Sequence, residues 1–200
     1  MILSFHPLYK GDRQILCAGR SPGPEDRAAI CSASAVVLPQ GCSRELHEMA
    51  RSECRHVFPD YDARFSYPGK IGQTMLFEKT GARHPRTEIF HSLAEMASCP
   101  AFDGNNLPRE FPLVFKFDWG GEGDTVHLIR TPTQWREVLE TARRFEETGQ
   151  QGFLIQEYIP GGNRTLRTVV IGRKRLSYWK VQEDPDRFAA NLARAARILP

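Results

Sequence analysis

Three short stretches of this 200-residue sequence carry residue types suited to holding phosphate and a flat ring. Gly120-Gly121-Glu122-Gly123 is a glycine-rich turn between two strand-like runs. Glycines permit positive φ and carry no side chain, so successive backbone N–H groups can approach phosphate oxygens closely. Taken alone, such a turn is at least as common for structural reasons. It lacks the G-K-[ST] and the following helix of a Walker A loop, and it does not sit between a strand and a helix as the dinucleotide fingerprint requires. Lys116 interrupts the apolar run Leu113–Phe117 just before the loop. Its charge can meet the same phosphate, although a solvent-facing strand lysine is the plain alternative. Phe153–Pro160 opens as a core strand, and its second half, Gln156-Glu157-Tyr158-Ile159, can offer backbone N–H and C=O groups to an adenine edge beside apolar surface. Glu157 reads equally well as an exposed strand carboxylate.

Other residue groups carry less. Cys17, Cys31, Cys42, Cys54 and Cys99 are odd in number and never spaced as C-x-x-C, so idle thiols are expected rather than disulfides. Cys42, His47, Cys54 and His56 match no familiar zinc spacing. The net charge of +3 suits phosphate ligands without selecting them, and a nucleic-acid-binding role rests on that charge alone. No run approaches the roughly 20 apolar residues of a membrane span, and the N-terminus shows no secretory leader, so a cytoplasmic protein is expected. The composition is compatible with a homo-oligomer.

The elements that must position these residues follow from periodicity. Ile2–Phe5, Ala35–Leu38 and Val57-Phe58 read as short strands. Between them stand a helix opened by Gly23-Pro24-Glu25-Asp26 and one capped by Ser43, which predicts a small parallel α/β sheet. Tyr61–Gly69 reads as turns, about 71–80 as a helix stopped by Gly81, Thr87–Phe90 as a strand, and Ser92 as the cap of a short helix. Pro100–Pro112 reads as a loop or lobe boundary. From Leu113 the pattern turns to hairpins. Strands Leu113–Phe117 and Thr125–Ile129 flank the glycine loop, a helix spans Pro132–Glu147, and Phe153–Ile159 is a strand. Leu166–Ile171 and Leu176–Val181 form a hairpin, and a last helix begins near Pro185.

Lys116, the glycine loop, an intervening helix, Gln156-Glu157-Tyr158-Ile159 and an arginine-bearing hairpin together resemble the ATP-grasp superfamily, in its branch of glutathione-synthetase-like and RimK-like ligases. Gly69-Lys70 through Gly81 and Pro85-Arg86-Thr87 look like that family's G-[DN]-K segment and its P-x-T strand. The likeness spans Lys70 to Asn191. It implies an α/β and α+β protein: a small N-terminal parallel α/β (pre-ATP-grasp) domain over 1–84, a small ATP-grasp lobe with the glycine loop over 85–152, and the start of a second lobe over 153–200, incomplete at its C-terminus. It further implies that Lys70 and Lys116 contact phosphates and that Gly120, Gly121 and Gly123 cover them. Gln156 and Glu157 through Ile159 would line the adenine site with Tyr158 packed beside the ring, while Arg167 and Lys180 would act at the transferred phosphate.

The pattern also departs from the family. Thr165 replaces the acid of a D-x-R pair, and Glu122 and Asp124 place negative charge in a phosphate loop. The family's magnesium ligands, an Asp and a Glu-x-Asn set, have no match before Pro200, and Glu183 and Asp184 do not reproduce their spacing. Metal ligands are therefore expected beyond residue 200, in a longer ligase of which this stretch alone is inactive. The resemblance implies ATP and Mg2+ as cofactors and an ATP-dependent carboxylate–amine ligase that forms an acyl phosphate from small-molecule or peptide carboxylate and amine substrates. A non-catalytic nucleotide-binding or interaction module on the same fold is the alternative.

Overall fold

The computed structural model describes residues 1–17, 19–100, 111–121, 123–162, 164–182 and 196–199. The chain divides into two compact units, Met1–Ser66 and Tyr67–Pro200.

The first unit contains β1 (Ile2–Ser4), β2 (Arg13–Gln14), α1 (Pro24–Cys31), β3 (Ala35–Val37), α2 (Arg44–Glu53), β4 (Val57–Phe58) and α3 (Asp62–Ser66). Its four strands form a parallel sheet in the order β2-β1-β3-β4. Leu3, Phe5, Val36 and Leu38 pack from the sheet onto Ala29 and Ile30 of α1 and Leu46 and Ala50 of α2. Pro24 opens α1 at a position whose amide needs no partner. Asp26 reaches back to accept the Gly23 N–H at 2.7 Å and also accepts two bonds from Arg20, at 2.6 and 2.8 Å. That bidentate guanidinium holds the Asp26 carboxyl below the usual range, although burial opposes the shift. Ser43 Oγ accepts the Leu46 N–H at 3.2 Å and caps α2. Two short elements go beyond the sequence expectation: β2, with its two residues, and α3, which lies where the sequence reads as turns.

The second unit contains α4 (Gly69–Thr80), β5 (Thr87–Phe90), α5 (Leu93–Ser98), β6 (Leu113–Phe117), β7 (Val126–Ile129), α6 (Pro132–Glu147), β8 (Phe153–Glu157), β9 (Arg164–Ile171), β10 (Lys174–Gln182) and β11 (Ala196–Leu199). Four antiparallel strands form a sheet in the order β5-β8-β6-β7, with Leu113 opposite Ile129 and Phe117 opposite Phe153. Phe115 is fully buried and touches the rings of Phe117, Trp135 and Phe153, the last stacked at 4.8 Å. Thr131 Oγ1 caps α6 through the Gln134 N–H, and Ser92 Oγ caps α5 through the Glu95 N–H. β9, β10 and β11 form a separate antiparallel sheet. The expected loop from Pro100 falls largely outside the described residues, as do the helix expected near Pro185, Glu122, Glu183 and Asp184. Ala196–Leu199 is a strand paired with β10 rather than part of that helix.

The ring cluster around Phe115 yields a stability prediction. Phe115→Ala removes a buried aromatic whose ring neighbours are held by two strands and a helix, so it should cost about 3–5 kcal/mol. Urea unfolding followed by tryptophan fluorescence measures this selectively, because Trp119, Trp135 and Trp179 all belong to the second unit. A loss under about 1 kcal/mol would mean that β8 and α6 do not pack their rings against β6.

Candidate functional site

Helix α4 starts after Pro68, which has no side-chain acceptor for the first amides of the helix. Asp118, just past the end of β6, supplies the acceptors. Its carbonyl accepts the Lys70 N–H at 3.2 Å and its Oδ1 accepts the Ile71 N–H at 2.7 Å. Its own N–H donates to the Gly152 carbonyl at 3.0 Å, so one residue joins β6, α4 and the approach to β8. Gly69 permits the contact: its φ is +70°, and a Cβ there would collide with the Asp118 carboxylate.

Lys70 follows directly and reaches over the glycine loop. Its ammonium donates to the Trp119 carbonyl, to the Gly120 carbonyl at 3.2 Å and to Thr125 Oγ1 at 3.1 Å. Thr125 Oγ1 in turn donates to the Trp119 carbonyl at 2.6 Å. Gly120 and Gly123 have φ of +77° and +82°, and a Cβ on Gly120 would strike the Thr125 side chain, whereas Gly121 faces open space. The loop base is thus fastened through carbonyls and one hydroxyl. Burial holds the Lys70 ammonium below the ordinary lysine value of 10.5, against an opposing pull from Asp118.

Lys116 projects from the middle of β6 and donates to Gln156 Oε1 at 2.6 Å. Gln156 Nε2 donates to Thr87 Oγ1 at 2.8 Å, and Thr87 Oγ1 donates to the Pro85 carbonyl at 2.7 Å. Burial, and after it repulsion from Lys70, holds the Lys116 ammonium below 10.5. Among the described residues neither lysine makes a salt bridge.

Lys70, Lys116, Gln156, Glu157, Tyr158 and Ile159 line one cleft of about 400 Å³, within the size range of small-molecule sites. Glu157 is engaged on two sides. Its N–H donates to the Arg86 carbonyl at 3.0 Å and its Oε1 accepts the Arg86 N–H at 2.7 Å. Val114, Val126, Leu154, Phe77 and Pro85 add apolar walls, and Gln73 and Thr74 extend the face of α4. Gly120, Gly121 and Gly123 are outside this lining, as are Arg167 and Lys180. Those last two stand on the β9–β10 hairpin. Arg167 is opposite Tyr178 and Lys180 opposite Thr165, which places both on one face of that sheet.

Asp118 and Thr125 carry no functional mark in the sequence, and Thr87 appears there only as the end of the P-x-T strand, with no role of its own. A helix beginning Pro68-Gly69 lacks a local cap, which signals that an acceptor must come from elsewhere, but the donor element is set only by the fold. Among the described residues Glu157 is the one carboxylate lining the cleft. This donor set does not fit an octahedral magnesium ion, so magnesium chemistry is not built from these residues.

Residues 70–198 match the model of the RimK-like ATP-grasp domain. Glutamate–LysW ligase ArgX of Sulfurisphaera tokodaii is 25% identical over 181 residues, which cover 90% of this chain and 62% of that protein. Among solved structures, the RimK domain ATP-grasp protein of Sphaerobacter thermophilus aligns with a TM-score of 0.59 at 15% identity, over 89% of this chain and 72% of that one. D-alanine–D-alanine ligase of Helicobacter pylori aligns at 0.52 and 17% identity, over 80% and 50%. At these identities the structural likenesses show a shared fold. The chain spans 62% of the curated relative's length and half of the D-alanine ligase.

The long-range cap gives the second prediction. Asp118→Ala removes the side-chain acceptor of the Ile71 N–H and should destabilise the second unit by about 1 kcal/mol, the usual loss of a helix cap. Asp118→Asn keeps an oxygen and should lose less than half of that. The two variants are compared by urea unfolding on the tryptophan signal. Equal losses would show that the carboxylate acts by charge and not as a cap.

Proposed function

The chain belongs to the RimK-like ATP-grasp family, and from that premise we propose that the cleft between α4 and the four-stranded sheet holds ATP, as the nucleotide-binding part of an ATP-dependent carboxylate–amine ligase. One observation carries the reading. Two ammonium groups, Lys70 and Lys116, share the cleft with pKa values pushed down by burial, and a polyanion would relieve both. On this reading residues 1–84 are the leading α/β domain, 85–152 the small lobe with the glycine loop, and 153–200 the opening of the second lobe, with α4 packed in the second compact unit and β8 a central strand of the small lobe's sheet.

The chain's own groups divide the work. Lys116, oriented by Gln156, meets the phosphates from the sheet. Lys70 adds its positive charge from the loop side while its three donors hold the loop base. Val114, Val126, Leu154 and Phe77 flank the adenine ring, with Tyr158 packed beside it. Because the Glu157 N–H is taken by Arg86, the adenine edge falls to the Glu157 carbonyl and the Ile159 amide. Arg167 and Lys180, on one face of their sheet, serve the transferred phosphate. Magnesium would supply charge neutralisation at the phosphates, held by residues other than those of this cleft. The ligase substrates are a carboxylate, activated by phosphoryl transfer, and an amine that captures it. D-alanine–D-alanine ligase and glutamate–LysW ligase are named for joins of this class.

Calorimetric titration of ATP tests the reading. Lys116→Ala should weaken binding by about 1.5–3 kcal/mol, the range for a hydrogen bond to a charged group. Bound phosphate favours the charged ammonium and raises both lysine pKa values. Affinity is therefore full below the depressed values of the free protein and falls as pH rises through them toward 10.5. Equal ATP affinity in the folded variant, or a flat alkaline profile, rejects the assignment.

A second measurement addresses the base. Glu157→Gln keeps an oxygen for the Arg86 N–H, so the preference for ATP over GTP should survive it. Loss of that preference would mean that the carboxylate itself reads the base.

A further inference from the structure

Among the described residues, one group of metal-ligand side chains stands apart from the nucleotide cleft. His47, Asp60 and Asp62, all in the first unit, have donor atoms lying within 4.8 Å of one another. His47 projects from α2 and is 3% exposed, with the rings of Tyr61 and Phe65 centred 6.1 and 5.2 Å away. Its Nε2 is buried and has no hydrogen-bond partner. Such a group is costly unless something coordinates it.

The neighbouring geometry indicates what that is. Asp62 Oδ1 lies 3.5 Å from His47 Nε2, within ion-pair range but too long for a hydrogen bond. With metal–ligand bonds of about 2.0–2.1 Å, two ligands of a tetrahedral ion stand about 3.3 Å apart. The pair is therefore already spaced for an ion between them. Asp62 uses its other oxygen, Oδ2, to accept from Arg51 at 3.1 Å, which turns Oδ1 toward the imidazole in the manner of an outer-shell orienting bond. Asp60 Oδ1 accepts the Asp62 N–H at 2.9 Å, so the two carboxylates stay on the same short segment after β4.

We propose that His47, Asp60 and Asp62 bind one divalent ion of the zinc class, with His47 Nε2 and Asp62 Oδ1 as the anchoring donors and water completing the shell. One imidazole nitrogen with two carboxylates suits a borderline transition metal, whereas magnesium and calcium take oxygen donors. The ion ties α2 to the start of α3 and the turn before it, a clasp within the first unit. Cysteines take no part. Cys42 Sγ contacts the Ser43 carbonyl, Cys54 Sγ contacts the carbonyls of Ala33 and His56, and burial pushes the Cys42 thiol up to about 11, away from the thiolate a metal needs. The site is independent of the nucleotide reading.

The full chain, reduced and stripped by a chelator, is titrated without nucleotide with Zn2+ by calorimetry and with Co2+ by absorption. The expected result is one ion per chain, a cobalt spectrum without a thiolate charge-transfer band, and a zinc-dependent rise in Tm. His47→Gln and Asp62→Asn should each weaken zinc binding by about tenfold or more and abolish the rise in Tm, while Cys42→Ser leaves both unchanged. Asp62 is half exposed, so Asp62→Asn decides the matter if His47→Gln fails to fold. Absence of binding, a thiolate band, or wild-type zinc affinity in Asp62→Asn overturns the proposal. A pH-dependent stability change without metal binding leaves only a His47–Asp62 ion pair and overturns it as well.

Discussion

The grip of Asp118 on the first amides of α4 sets the geometry of the cleft proposed to hold nucleotide. A helix N-terminus exposes N–H groups that need acceptors and carries a partial positive charge. Here Pro68 offers no side-chain acceptor, and the acceptors come from a residue 47 positions away at the end of β6. The helix is therefore fixed to the sheet at one point and in one orientation. Lys70, next to the capped amide, reaches the carbonyls of Trp119 and Gly120, so the contact that anchors the helix also fastens the glycine loop. The arrangement depends on Gly69, because any other residue would combine an unfavourable positive φ with a clash against the carboxylate. Two glycine requirements, at Gly69 and Gly120, thus serve one junction.

How much of this is legible in the sequence depends on the range of each interaction. Helix starts at Ser43 and Ser92 are readable because cap and amide lie three residues apart in the chain. The strands of the four-stranded sheet are readable because Leu113–Phe117 and Phe153–Glu157 are apolar runs bounded by turn residues. α3 escapes because five residues beginning Asp62-Ala63-Arg64 carry too few apolar positions to show a helical period, and no residue of α3 is buried. β2 escapes because two exposed polar residues show no alternation. Around the cleft, the basic residues and the neighbouring glycine loop stand out by type, and a family pattern joins them. Asp118 and Thr125 cannot be found in that way, and the contact Thr87 makes is not readable from its P-x-T strand, since each acts on a residue brought near by folding. His47 shows the same limit. Its ligand-type neighbours in sequence, Cys42, Cys54 and His56, match no metal spacing, whereas the fold sets it beside Asp60 and Asp62.

Lys116 shows why a neutral partner, and not a carboxylate, stands beside a buried ammonium. An aspartate or glutamate at position 156 would cancel the charge and compete with any phosphate for it. Gln156 orients the ammonium and leaves its charge uncompensated. The direction of the amide is fixed from the other side. Thr87 uses its hydroxyl hydrogen on the Pro85 carbonyl, so it can only accept from Gln156, and Gln156 must present Nε2 to it. Its Oε1 is then left facing Lys116, and the flipped amide would place NH2 against NH3+. Every donor in this chain points one way, from Lys116 through Gln156 and Thr87 to a backbone carbonyl, and the proton that makes Lys116 an ammonium strengthens the bond at its head. Burial and the like charge of Lys70 disfavour that proton. The hydrogen-bond chain and the cleft electrostatics therefore pull in opposite directions, and an anionic ligand is the species that brings them into agreement.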